Sequence, residues 1–154
     1  MFIIFDGDIF LSPSGGIRRY FEQLINHLPQ NLIYKPVTYR YGDFIRKRPF
    51  GSLILKLLFV CESFLIAIYT HLFFSTSLIF HATHIRNPFF KFIKCKKVIT
   101  IHDMIHEIYP FFFDHEYQKS KLPSYTYAKC FCLKHADCII CVSDSTKSDL
   151  LKYY

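Results

Sequence analysis

The stretch VITIHDMIHEIYPFFF, residues 98–113, decides how this chain folds. It opens with the β-branched run 98–101, which predicts a short buried strand. That strand ends at two polar residues, His102 and Asp103. Ligands of open α/β sheets lie in the crevice beyond the carboxyl ends of the strands, so both residues are predicted to lie on the floor of a cleft. The alternative is that Asp103 only caps the next segment by accepting backbone N–H groups.

Composition limits the class of protein. The 154 residues suit one domain, and a hydrophobic content of 51% excludes a disordered chain. The net charge of +7 favours an anionic partner, such as a phosphorylated substrate or an acidic lipid headgroup. Nucleic acid is not expected as a partner, because the basic residues are dispersed and no binding motif is present.

The N-terminus and the cysteines bear on location. The first ten residues, MFIIFDGDIF, lack the basic start and long apolar run of a secretory signal, so we expect a cytoplasmic protein with reduced cysteines. The spacing Cys138-x-x-Cys141 is that of a metal half-site, but residues three apart on a strand face opposite ways. These two cysteines, like Cys130 and Cys132, are therefore predicted to be small core residues.

The chain begins as a strand, a glycine-rich loop and a helix. Residues 2–5 are apolar, and apolar residues recur at helical spacing over 17–28. Between them, Gly15 and Gly16 would let the backbone approach a ligand, and the helix N-terminus attracts anions. Arg18 and Arg19 oppose the helix dipole, so an anion is expected nearby, and Arg18 is a candidate substrate-binding residue. The alternative is a plain turn into a core helix.

The middle of the chain is less distinctive. Residues 32–38 predict a second strand and residues 39–51 a basic loop. Residues 53–74 are long enough to span a bilayer, but Lys56, Glu62 and His71 interrupt them. We therefore expect a mostly buried helix, or a helix lying on a membrane surface beside the basic loop, so that residues 40–74 form a peripheral membrane contact.

The remainder alternates between strands and helices. Strands are predicted at 78–80 and 138–142, a loop at 85–95, a helix over 114–135 broken at Pro123, and a last helix over 147–154. The alternation predicts a parallel sheet with helices on both faces, an α/β fold. Polar groups collect where the strands end and predict a ligand cleft there: Asp6, Gly15, Gly16, His81, His84, His102, Asp103 and Ser143.

Four ordered motifs carry a resemblance to a known family. They are GGIRRYFEQLI, FHATH, VITIHDMIHEIYP and ADCIICVSDSTKSDLLKYY. Together they resemble the N-terminal half of the family 4 (group 1) glycosyltransferases, which have the GT-B fold with Rossmann-like domains. The likeness is strongest to mannosyltransferase-like members that build bacterial surface polysaccharides. It runs from about Phe2 to the end of the chain and implies that residues 1–154 are one acceptor-side domain.

The resemblance implies a function and a set of roles. Such enzymes transfer a sugar, here a hexose such as mannose, from a nucleotide-sugar to a glycan or lipid-linked acceptor, with retention and without a metal or other cofactor. By motif, Gly15 and Gly16 would approach the donor diphosphate. His102 would hydrogen-bond the reacting sugar, and Asp103 would orient His102 or the loop. His81 and His84 would line the acceptor side.

Two departures from the family pattern matter. Arg18 stands where the family loop usually has a glycine after the isoleucine, so the backbone is expected to approach a ligand less closely. The donor-binding C-terminal domain is absent from the 154 residues, so we expect the chain alone to be inactive. It would need that domain or a partner subunit on the inner face of the membrane.

Two other classes of function compete with this interpretation. A metal-dependent hydrolase could use His81-x-x-His84 with His102, Asp103 and His106 as ligands. A non-catalytic module could bind a membrane or a partner protein through residues 40–74. The first predicts stoichiometric metal, and the second predicts binding without turnover.

Overall fold

The computed structural model describes residues 1–12, 15–73, 77–113 and 122–154. Within them, five strands form one sheet in the order β2-β1-β3-β4-β5, and every pairing is parallel. This confirms the predicted α/β, Rossmann-like fold class. The strands are β1 (Phe2–Phe5), β2 (Ile33–Tyr34), β3 (Leu78–Ala82), β4 (Lys96–Ile101) and β5 (Cys138–Cys141).

Helices connect the strands except between β3 and β4, where residues 83–95 contain one short 3₁₀ segment. They are α1 (Gly16–His27), α2 (Val37–Arg46), α3 (Gly51–Leu72), α4 (Ile105–Ile108), α5 (Leu122–His135) and α6 (Asp144–Tyr153). Short 3₁₀ segments add Asp8–Leu11, Gln30–Leu32, Phe90–Phe92 and Pro110–Phe113. Because all five strands run the same way, their carboxyl ends share one edge of the sheet. The polar residues that were predicted to follow the strands lie at this edge.

The two faces of the sheet have separate cores. Side chains alternate along a strand, so Phe5 packs with Phe21 and Ile25 of α1 on one face. On the other face Ile4 belongs to a larger cluster with Ile66 of α3, and Cys132 of α5 joins that same cluster. The sheet is thus covered on both faces, as predicted.

The predicted second strand and the basic loop after it are corrected by the structure. β2 contains only Ile33 and Tyr34, and Pro36 then precedes helix α2 where a loop was expected. A proline at this position suits a helix start, because the first N–H groups of a helix lack intrahelical acceptors. The buried residues of α2 are Thr38 and Gly42, so no apolar periodicity marks this helix in the sequence.

The long apolar segment forms helix α3, but the expectation that it is mostly buried is wrong. By length and composition alone, this helix could cross a membrane. Only 39% of its most apolar 18-residue stretch is buried in the domain. One stripe, which includes Leu55, Phe59 and Ile66, packs inward. The stripe on the opposite side of the helix is also apolar, but it is exposed.

The expectation of a buried fifth strand is also corrected. β5 pairs with β4 on one side only among the described residues, and its side chains are largely exposed. Of the four cysteines predicted to be core residues, only Cys132 is buried; Cys138 is exposed, while Cys130 and Cys141 are partly exposed. An edge strand has one neighbour, so an apolar run does not guarantee burial.

Several boundaries differ from prediction for local reasons. Pro123 is the second residue of α5 and lies in its first turn, where a proline is tolerated, and the predicted break at Pro123 stays a prediction because the residues before α5 lie outside the described ones. The predicted helical residues 114–121 lie outside the described residues, as do residues 13 and 14 of the glycine-rich loop and residue 74. α6 begins at Asp144, three residues before the predicted start, and Ser143 caps it, since its Oγ accepts a hydrogen bond from the Thr146 N–H at 3.1 Å.

Candidate functional site

A small cavity lies beyond the carboxyl ends of β3 and β4. Three predicted site residues line it: His84, His102 and Asp103. The first turn of α1 contributes Ile17, and α5 contributes the opposite wall. The enclosed volume is about 30 Å³, room for water but not for a sugar, since small-molecule sites have about 300–1,000 Å³. The described residues thus form the floor of a site.

The His102 ring packs against aromatic neighbours, and one of its nitrogens has no hydrogen-bond partner among the described residues. Its ring centroid lies 5.1 Å from that of Tyr20 and 5.8 Å from that of Phe21, both in edge-on contact. Its Nε2 is buried and has no hydrogen-bond partner among the described residues. Burial lowers the pKa of His102. A neutral, fixed imidazole with a free nitrogen can donate to or accept from one ligand hydroxyl.

Asp103 lines the cavity and also has the capping role weighed above. Its Oδ1 accepts a hydrogen bond from the Ile105 N–H at 3.3 Å, at the start of α4. Its backbone carbonyl accepts from Lys129 Nζ at 3.3 Å. Asp103 thereby sets the turn that follows His102. Its role toward a substrate stays a prediction.

His84 belongs to a charged cluster with Asp8 and Arg86. His84 Nδ1 lies 3.4 Å from Asp8 Oδ2, and an Arg86 guanidinium nitrogen lies 3.1 Å from Asp8 Oδ1. Burial acts to raise the pKa of Asp8, but His84 and Arg86 outweigh it and the pKa is lowered. The carboxylate of Asp8 thus lies next to the His84 ring beside the cavity.

Asp6 lies deeper in the same strand-end region and is fully buried. Its Oδ1 accepts from the Thr83 N–H at 2.8 Å and the Thr83 hydroxyl at 2.6 Å, while Asn87 Nδ2 donates to Oδ2 at 3.1 Å. Burial, and then repulsion from Asp8, raises the pKa of Asp6 to about 7. These bonds join the ends of β1 and β3 and fix the floor of the site.

Sequence reasoning missed the α5 wall of the cavity. Lys129 and Tyr125 both line it, and Lys129 Nζ lies 5.5 Å from the Tyr125 ring centroid. The Tyr125 ring also stacks on His106, with centroids 4.0 Å apart. One signal was available: a lysine four residues after a tyrosine lies on the same helix face.

The glycine-rich loop meets the site through α1. Gly15 has φ +146°, a conformation that other residues rarely adopt. A Cβ added at Gly16 would meet no atom within 4 Å, so packing within the described chain does not require glycine there. Both glycines are exposed just before Ile17, which lines the cavity.

The anionic partners of Arg18 are carboxylates of the same chain. Its guanidinium makes two hydrogen bonds to Asp43, at 2.6 and 2.9 Å, and one to Glu22 at 2.7 Å. These carboxylates satisfy the expectation of an anion near the start of α1. They hold Arg18 between α1 and α2, and a substrate-binding role for it stays a prediction.

Two other predicted residues lie away from the cavity. His81 is buried under α1, stacked on Phe5 at 5.3 Å, with its Nε2 2.9 Å from Thr100 Oγ1. Ser143 is the N-cap of α6 and lines a separate surface groove. The Ser143–Thr146 cap reaches the site only indirectly, since the Thr146 hydroxyl donates to the His102 carbonyl at 3.4 Å.

The described residues do not support the metal-dependent hydrolase. Within residues 1–12, 15–73, 77–113 and 122–154, no group of three or more His, Cys, Asp or Glu could hold a metal ion. His81 and His84 fail as a pair because His81 faces the core under α1 while His84 lines the cavity.

Comparison with known families identifies the domain. The family model "Glycosyltransferase Family 4" matches residues 10–154. The chain belongs to glycosyltransferase family 4. Comparison with curated proteins and with solved structures gave no match.

Membership in family 4 connects the parallel sheet with sugar transfer. The match covers α1, the cavity residues and α6, so His84, His102 and Asp103 all belong to the glycosyltransferase-like domain. Chemically, the site has hydrogen-bonding groups on a rigid sheet edge and an open backbone segment at the start of a helix. Such groups suit binding and orientation of a polyhydroxylated, anionic ligand.

Proposed function

We propose that this family 4 domain is the acceptor-side half of a retaining hexosyltransferase that acts at the cytoplasmic face of a membrane. The co-substrate is a nucleotide-sugar, such as a mannose donor, and the acceptor is a glycan or lipid-linked saccharide of a surface polysaccharide. No metal or other cofactor takes part in this proposal.

One observation carries the proposal. His102, whose buried Nε2 has no hydrogen-bond partner among the described residues, lines a cavity that also receives Ile17, the residue after the exposed Gly15–Gly16 pair. Backbone N–H groups at the start of α1 suit a diphosphate, and a neutral imidazole suits a sugar hydroxyl. A donor placed between them would present its sugar to His102, with His84 on the acceptor side and Asp103 orienting the turn after His102.

The size of the cavity supports a second element of the proposal. At about 30 Å³, the described residues do not enclose a hexose. We therefore expect the 154-residue chain to bind nucleotide-sugars weakly and to transfer no sugar alone. A donor-binding domain or a partner subunit would complete the cleft.

The proposal is tested in the cell that makes this protein. The native gene is replaced by a His102→Gln variant or by the control variant His135→Gln, whose ring nitrogen bonds its own helix at Phe131 O. We expect His102→Gln to lower the affected glycan about a hundredfold, as loss of one oriented donor does. Glycan composition is measured, and immunoblotting checks protein amount.

Unchanged glycans in the His102→Gln strain, with normal protein levels, would contradict the role of His102. If gene deletion also leaves the glycans unchanged, the non-catalytic module is favoured. Separately, the purified chain is incubated with a panel of nucleotide-sugars and acceptor saccharides. Robust sugar transfer in that assay would refute the expectation that the chain needs a second domain.

A further inference from the structure

Helix α3 presents an exposed apolar stripe along its whole length. The buried residues of α3 recur at helical spacing on one side, and the opposite side carries Leu53, Leu57, Val60, Phe64, Leu65 and Ile68. Leu57 and Leu65 are 58% and 63% exposed. A helix that is apolar on all sides is ordinarily covered on all sides, and no described segment covers this one. We call these six residues the α3 surface.

Apolar grooves flank the α3 surface on both sides. One, of about 510 Å³, lies between α3 and the β1–β2 edge and is lined by Phe2, Tyr34 and Leu65 among others. The second, of about 360 Å³, lies between Phe64 and the aromatic residues Phe89 and Phe92. The α3 surface therefore continues into an apolar recess on each side. Monomeric proteins rarely expose so extended an apolar area without a partner.

The charge around this surface is one-sided. Residues 44–102 contain nine Lys and Arg but a single acidic residue, Glu62, which is buried. Exposed cations stand at both ends of α3: Lys47 and Arg48 before it, and Lys91 and Lys94 on the segment that borders its last turns. The Lys94 N–H donates to Thr70 Oγ1 of α3 at 3.1 Å, which holds that segment against the helix.

We propose that the α3 surface is a membrane-docking face, with α3 lying in the plane of a bilayer that carries anionic lipid headgroups. The apolar stripe enters the acyl boundary, and the cations at both ends of α3 meet phosphate groups. A second copy of the chain fits this face less well, because a symmetric contact would bring the same cations together.

Anchoring of the buried stripe explains why α3 lies on the bilayer instead of crossing it. Glu62 Oε1 accepts from the Tyr34 hydroxyl at 2.7 Å and the Val37 N–H at 2.9 Å, and Asn87 Nδ2 donates to Ser63 Oγ at 3.2 Å. A spanning α3 would have to give up these bonds and expose polar groups to hydrocarbon. The inference does not depend on sugar transfer.

Vesicle flotation tests the proposal with the full 154-residue chain. The vesicles are pure phosphatidylcholine or phosphatidylcholine with about one third phosphatidylglycerol. We expect flotation with the anionic vesicles, weakened by salt. Leu65→Glu should reduce binding about tenfold or more, since one large apolar side chain then no longer enters the bilayer. The matched control is Leu151→Glu on α6, because Leu151 is 73% exposed and lies elsewhere.

A second pair of variants tests the charges. The double variant Lys47→Ser/Arg48→Ser should weaken binding to anionic vesicles, while Lys147→Ser/Lys152→Ser, which removes the same charge from α6, should not. Equal loss in both pairs would mean that net charge alone attracts the chain, and the α3 surface would then not be the docking face.

A fluorescence measurement guards against misfolded variants. The chain has no Trp, so Leu65→Trp gives one reporter on the α3 surface, Phe92→Trp gives one in the groove beside it, and Leu151→Trp gives one on α6. We expect a blue shift and quenching by brominated lipid only for the first two. The proposal is overturned if all three reporters respond alike. It is also overturned if the wild-type chain does not bind vesicles and sedimentation shows that Leu65→Glu dissociates a dimer.

Discussion

Lys129 Nζ lies 2.9 Å from Glu107 Oε2, and the two side chains retain only 3% and 6% of their exposure. This buried ion pair joins α5 to α4 at the wall of the cavity of the candidate site. Further groups complete it: Lys129 also approaches the Asp103 carbonyl and Met104 Sδ, and the Tyr154 hydroxyl donates to Glu107 Oε1 at 3.0 Å. The pair therefore fixes the turn that carries Asp103.

Breaking this pair is predicted to be costly. Lys129→Met leaves the Glu107 charge buried without its partner, and such losses reduce the free energy of unfolding by about 3–5 kcal/mol. The double variant Lys129→Met/Glu107→Leu should recover most of that loss, because no unpaired charge remains. Denaturant unfolding followed by circular dichroism measures both, with the exposed Lys134→Met as control. A Lys129→Met chain as stable as the control would contradict the prediction.

The buried His81 is predicted to make the domain sensitive to acid. Burial, and then the nearby His102, lowers its pKa from 6.5 to about 4. As the pH falls, the His81 side chain therefore takes up a proton in the unfolded chain before it does so in the folded chain. The stability linked to His81 is complete above pH 6.5 and decreases toward pH 4, by up to about 3 kcal/mol. Urea unfolding between these pH values should show a flatter profile for His81→Gln, and the exposed His27→Gln should keep the wild-type slope.

Asp6 is predicted to act in the opposite direction. Its pKa rises from 3.8 to about 7, so the folded state keeps a proton that the unfolded chain releases. The stability linked to Asp6 is complete below pH 3.8 and is lost as the pH rises through 7. Relative to wild type, Asp6→Asn should lose this decline between pH 5 and pH 8. If the unfolding energies of both proteins change in parallel over that interval, Asp6 does not carry the raised pKa.

Arg18 is predicted to serve the contact between α1 and α2. Arg18→Lys removes the forked contact with Asp43 and should lower the free energy of unfolding by about 1–3 kcal/mol. Asp43→Asn should have a similar effect, and the double variant should cost less than the sum of the two. Thermal unfolding measures the cycle, with exposed Arg19→Lys as control. Additive losses would mean that Arg18 and Asp43 do not act as a pair.

Predictions from the sequence succeeded where the deciding interactions are local. The run 98–101 lies within β4, and helical spacing over 17–28 matches α1. Both follow from side-chain periodicity along the chain. Helix α2 was missed because its inward face holds Thr38, whose hydroxyl donates to the Gly7 carbonyl at 3.0 Å, and Gly42, so that no apolar pattern appears.

The sequence by itself determined the α/β class, the parallel sheet and the placement of polar residues at the strand ends, because these depend on alternation along the chain. Only the tertiary structure decided which of those residues meet. His84 and His102 share a cavity, whereas His81, three residues from His84, faces the core. It also decided that one apolar stripe of α3 stays exposed. Contacts between segments that are distant in sequence decide which side chains meet and which stay exposed, and local periodicity does not predict those contacts.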